Sequence, residues 1–289
     1  MKKITFLFLV AHLVPILLFA QKTGAEMVAD MGRGINLGNV LSAPAEGDWA
    51  VAVTEQYFID VKNAGFKNVR IPVDFFGTRT SGNINGTSTA SYSVSSGTSA
   101  QYTGETFTID ATYLTRVEQV IDWSLNQGLV TILDFHGSHL KSDFVKTFES
   151  TESAYTDPTS ARRAADNAKF RAIWTKLADT FKDKDYNLVF EIINEPYFYM
   201  TKADMDTLTS DLLAIIRVGG NNPNRNIIVT GGGPETSYEA IANLDPTLFD
   251  SNPNRLIGTF HYYNPYNFTS SSGDTLDTES WGASDESSV

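Results

Sequence analysis

The sequence predicts an α/β protein of about six parallel strands alternating with helices, an arrangement suited to a parallel barrel. Short apolar runs alternate with amphipathic stretches along the chain, glycines stop several of the amphipathic stretches, and polar residues collect where the apolar runs end. Strand, helix, strand repeated five times implies parallel strands joined by right-handed crossovers. A chain of 289 residues with 42% hydrophobic content can bury one large core.

The first twenty residues join Lys2 and Lys3 to an apolar run from Ile4 to Phe19 and a small Ala20, the pattern of a secretory signal peptide. A membrane anchor is the rival, but the run is short for a bilayer and holds His12 and Pro15. The expectation is therefore an exported protein, secreted, periplasmic or at the cell surface, with no membrane contact after cleavage. A single domain would occupy residues 21–289.

Strand candidates follow at Arg33–Gly38, Asn68–Val73, Leu129–Phe135, Leu188–Ile193, Asn226–Thr230 and Leu256–His261. Between them lie helix candidates at Thr54–Asn63, Tyr113–Gln127, Ser160–Phe181 and Met205–Val218, with a weaker one at Ser237–Asn243. Gly65, Gly128 and Gly219 fall where C-terminal helix stops belong. The Ser/Thr/Gly-rich stretch from Gly77 to Asp110 reads as a solvated loop, or as a loop shaping one end of a cleft. The tail after Thr269 is polar apart from Trp281.

The chain has no cysteine, which excludes disulfides, thiolate metal sites and a cysteine nucleophile. Without Lys2 and Lys3 there are 20 basic against 34 acidic residues, a net charge of −14. That balance argues against nucleic acid or an anionic membrane as partner and fits a neutral ligand. Aromatic residues, 12% of the chain, suit a protein that stacks sugar rings, although they also fill cores.

The strand ends carry the chemistry. Asn36 and Asn39 end the first, Arg70 lies on the second, Asp134 and His136 end the third, Asn194-Glu195-Pro196 the fourth, and His261, Tyr262 and Tyr263 the sixth. Parallel barrel strands all end on one face, so these groups should converge there. Plainer readings compete: Arg70 as a structural ion-pair partner, His136 as a core histidine, Glu191 as a deeper structural carboxylate paired with Arg70. His139 has no assigned role. A metal site of His136, His139 and Asp134 is set aside, because its spacing matches no strong ligand motif, and no metal or cofactor is expected.

In order and spacing, "GINLGN", "GFKNVRIPV", "ILDFHG", "EIINEP" and "HYYNPYNFT" resemble the strand-end motifs of glycoside hydrolase family 5, the cellulase family of (β/α)8 barrels. The resemblance runs from about Met27 to Trp281. It implies a retaining endo-β-1,4-glucanase acting on a β-linked polysaccharide or oligosaccharide, as a monomer. Mannan and xyloglucan, or a binding role without catalysis, are the alternatives. Glu195 matches the family's acid/base and Asn194 the residue that contacts the sugar 2-hydroxyl. Arg70 matches the arginine that keeps the nucleophile ionised, and His136, His261 and Tyr263 match the polar shell around the cleaved bond. Asn39 joins the substrate-binding set from the first strand end, and Trp281 resembles an aromatic sugar platform. Where the family often has His-His, this chain has His136-Gly137.

Glycoside cleavage requires one carboxyl group protonated above its ordinary pKa of about 4.3 and a second carboxylate to attack the anomeric carbon. In the family the second is a glutamate ending the seventh strand. After "HYY" the only glutamates are Glu279 and Glu286, both in polar, turn-like surroundings, and neither is nominated. The expectation is that the chain is a fragment or a shortened binder, which cleaves cellulose weakly or not at all.

Overall fold

The computed structural model describes residues 21–81, 107–137, 139–151, 161–196, 200–232, 238–242, 244, 247, 250–263 and 269. The proposed leader (1–20), most of the Gly77–Asp110 stretch, Trp281, Glu279 and Glu286 lie outside them. Six strands, β1 (Gly34–Asn36), β2 (Asn68–Val73), β3 (Val130–Phe135), β4 (Leu188–Glu191), β5 (Ile227–Val229) and β6 (Leu256–Gly258), form one sheet in chain order. Every pairing is parallel. Between successive strands run α2 (Glu55–Asn63), α3 (Ala111–Asn126), α4 (Ala161–Phe181), α5 (Lys202–Ile216) and the short α6 (Tyr238–Ala242). The described sheet is open, with β1 and β6 as its edges, in agreement with a partial barrel.

The pleat sorts the side chains. Val69, Ile71, Val73, Leu133, Phe135, Leu188 and Phe190 pack outward against the helices, where Phe170, Trp174 and Phe181 of α4 are fully buried. Val130, Ile132, Val189, Ile228 and Ile257 form a separate inner cluster. Each such buried aliphatic side chain contributes about 1.5–3 kcal/mol.

The inner cluster is completed by Met27 and Met31 of a helix the pattern reading missed, α1 (Gly24–Met31). Thr23 and Glu26 close a reciprocal capping box at its start. Its far end is tied to β2, because Asn68 Nδ2 donates to Met31 O at 2.9 Å. Its near end meets β6, where a Cβ on Gly24 would collide with Leu256 O.

The other differences are at boundaries. α5 begins at Lys202 rather than Met205, because Thr201 Oγ1 caps Asp204 N. β6 stops at Gly258, although Thr259 N still donates to Val229 O at 3.0 Å. The Ser/Thr/Gly-rich stretch opens with a helical turn at Gly77–Arg79, and Thr80–Ser81 pairs antiparallel with Thr108–Ile109 across its base.

Candidate active site

Alternation places Arg70, Asp134 and Glu191 on the inner side of β2, β3 and β4, at the C-terminal end of the apolar cluster. Arg70 donates from Nε to Glu191 Oε2 at 2.7 Å and from Nη2 to Glu191 Oε1 at 2.9 Å, a two-point pair. The same Nη2 lies 2.9 Å from Asp134 Oδ2 and donates to Asn194 Oδ1 at 2.9 Å. Asp134 Oδ2 also meets His136 Nδ1 at 2.7 Å. One arginine thus serves two buried carboxylates, and Asp134 Oδ1 is buried with no hydrogen-bond partner.

Burial, and then the neighbouring charge of Asp134, pushes the Glu191 carboxyl above the usual carboxylate range, against the pull of Arg70. Burial would lower the Arg70 pKa, but Asp134, Glu191 and Glu195 outweigh it and hold the guanidinium well above its ordinary value. Arg70 is therefore a fixed cation.

Beyond β4 the chain is pinned on both sides. Trp174 Nε1 donates to Ile192 O at 3.1 Å, Ile192 N to Ile228 O at 3.3 Å, and Asn194 N to Phe135 O at 2.9 Å. The pinned chain presents Glu195 at φ 39°, the only positive φ of a non-glycine residue among the described residues. That left-handed backbone costs roughly 1–2 kcal/mol, strain of a kind that clusters at functional sites.

The Glu195 carboxylate is surrounded. Oε1 is 2.6 Å from His261 Nδ1 and accepts from the Tyr263 hydroxyl at 3.2 Å. Oε2 accepts from Lys141 Nζ at 3.0 Å, with Asn194 Nδ2 at 3.5 Å. The structure thus brings Arg70, His136, Asn194, Glu195, His261 and Tyr263 into one linked set.

Asn39 is not drawn in; its Oδ1 accepts from Ser42 Oγ within its own loop at 3.2 Å. His136 and His139 turn to different carboxylates, Asp134 and Asp74, rather than to a shared point. Gly137 takes φ 115°, and a Cβ there would strike the Asp74 side chain, so the second residue of this strand end has no room for an imidazole.

Sequence reasoning missed Lys141, which lies in a π-helical turn, Leu140–Phe144, with no periodicity to mark it. It also passed over Trp49, half exposed in the loop that leaves the C-terminal end of β1.

Residues 28–288 match the family model described as Cellulase (glycosyl hydrolase family 5). Endoglucanase H of Acetivibrio thermocellus is 39% identical over 251 residues, covering 84% of this chain and 22% of that protein. A tri-modular subfamily 4 endo-β-1,4-glucanase from Bacillus licheniformis, solved with cellotetraose, superimposes with a TM-score of 0.68 at 30% identity. That match covers 92% of this chain and 44% of the Bacillus one. Cel5A of Thermotoga maritima, in a mutant form with cellobiose, gives a TM-score of 0.67 at 26% identity, covering 92% of this chain and 73% of that one. The chain thus spans about a fifth of the Acetivibrio protein and under half of the Bacillus enzyme.

Proposed function

The chain belongs to glycosyl hydrolase family 5, and on that premise we propose that it cleaves β-1,4-linked glucan chains with retention, Glu195 serving first as acid and then as base. The observation that carries this reading is the Glu195 carboxylate itself. It sits on a pinned, strained strand end with His261 and Tyr263 at hydrogen-bond distance, beside a sealed arginine–carboxylate cluster. Asn194, held by Arg70, would bind the sugar 2-hydroxyl, and His136, fixed by Asp134, would line the same subsite. The relatives' cellotetraose and cellobiose support an unbranched β-glucan as ligand. Export through the N-terminal segment and action as a monomer belong to the same proposal.

The attacking carboxylate is not assigned. Among the described residues, Glu191 and Asp134 are acidic residues joined to this cluster, and both are bound to Arg70 and suited to holding it rather than to nucleophilic attack. That observation favours a second reading, a β-glucan binder without turnover.

Two measurements on the 289-residue chain separate the readings. Calorimetry with cellotetraose gives binding under both, whereas release of reducing ends from soluble cellulose, lost in Glu195→Gln, occurs only under the first. Absence of binding to any β-linked glucan or mannan oligosaccharide would overturn both.

A further inference from the structure

Each oxygen of the Glu195 carboxylate has a hydrogen-bonding partner in this structure. Oε1 is held by His261 and Tyr263, two short side chains from the segment that follows β6. Oε2 is held by Lys141, which reaches in from the π-helical turn beyond β3. An ammonium on Oε2 favours the ionised carboxylate, so loading that oxygen with the proton an acid must deliver to a sugar oxygen goes with loss of the Lys141 contact.

Of the partners Lys141 is best built to withdraw. Its side chain is 28% exposed, against 21% for His261, and its ammonium rides on a flexible stem of four methylenes. We propose that Lys141 is a positioning residue for Glu195: a displaceable counter-ion that holds the carboxylate in the free protein and gives up Oε2 when a sugar chain enters. Its identification with the acid/base rests on the functional reading above, but the ion pair itself does not.

Other charged and titratable groups also face Glu195. They are His261 and Tyr263 beyond β6 and Arg70 on β2, while Glu191 and Asp134 are tied to Arg70. Lys141 is a cation in direct contact with Oε2, so its removal should be felt there.

The test is a ¹³C NMR titration of the full chain carrying δ-¹³C-labelled glutamate, with the Glu195 resonance assigned by its loss in Glu195→Gln. A charged hydrogen bond of this kind corresponds to about one to two pH units. Lys141→Met and Lys141→Gln should therefore raise the Glu195 midpoint by about that much, and Lys141→Arg should restore it. An unchanged midpoint in both neutral variants overturns the proposal, and so does an arginine variant that behaves like the methionine one.

A ¹⁵N spectrum of the Lys141 ammonium with and without cellotetraose tests displacement. An unchanged signal while calorimetry registers binding overturns the release of Oε2. If calorimetry registers no binding, the functional reading falls, and the glutamate titration still decides the counter-ion.

Discussion

At the scale of single residues, the site is a buried carboxylate, Glu195, held by His261, Tyr263 and Lys141, beside two further carboxylates tied to Arg70. Under the hydrolase reading, in a chain completed with the attacking carboxylate, Glu195→Gln should lower turnover on substrates with poor leaving groups by about 100-fold or more, and much less in the glycosylation step of activated aryl glycosides, which hardly need the proton. Leaving-group series measured on the two proteins check this; equal losses would place the acid elsewhere. Glu191 gives a stability prediction. Its folded pKa is raised, so the folded protein binds its proton more tightly than the unfolded chain. The stability this proton confers is full below the unfolded pKa and is lost as pH rises through the folded one. The melting-temperature advantage of the wild type over Glu191→Gln should thus be largest near pH 4 and narrow toward pH 8. An advantage that widens instead contradicts the assignment. Arg70→Met strands two buried carboxylates and should cost about 3–5 kcal/mol in denaturant unfolding. The gathering of Arg70, His136, Asn194, Glu195, His261 and Tyr263 could be read from the sequence because parallel strands finish on a common face. Lys141 could not, since its place depends on how an irregular turn coils. Asn39 illustrates the same limit, for a strand end fixes where a side chain starts but not that it will turn to Ser42.

At the scale of elements, alternating runs located the five inter-strand helices and six strands, with errors of a few residues where caps decide the ends. The α1 helix was overlooked, although Thr23 and Glu26 carry a readable capping box and Met27 and Met31 lie one turn apart. Its apolar face is two methionines wide, too short for a periodicity count to register. Thr23→Ala should destabilise the fold by about 1 kcal/mol, seen as a lower urea midpoint at unchanged slope. Gly137→Ala combines a forbidden backbone with collision against Asp74, whose Oδ2 accepts from His139 N. It should cost about 1–3 kcal/mol, and a crystal structure of the variant should find His139 or the Lys141 turn displaced.

At the scale of the molecule, the net charge of −12 is spread over a chain whose proposed ligand is uncharged. Affinity for cellotetraose should therefore change by less than about twofold between low and high salt, because no long-range attraction is being screened. A steep loss with salt would point to a charged polymer. Alternation and glycine stops made the parallel strands readable, and the likeness of the strand-end motifs to a known family made the barrel type readable, with the first and sixth strands as its open edges. The seal across the inner cluster has a bearing on biosynthesis. The turn that begins at Gly24 rests on Leu256, so the near end of this helix has no seat until more than two hundred further residues have followed it, although its far end can already meet Asn68. Its methionines gain their apolar neighbours in stages, Val130, Ile132 and Val189 before Ile228 and Ile257, so the full seating of this helix is a late, long-range event of maturation.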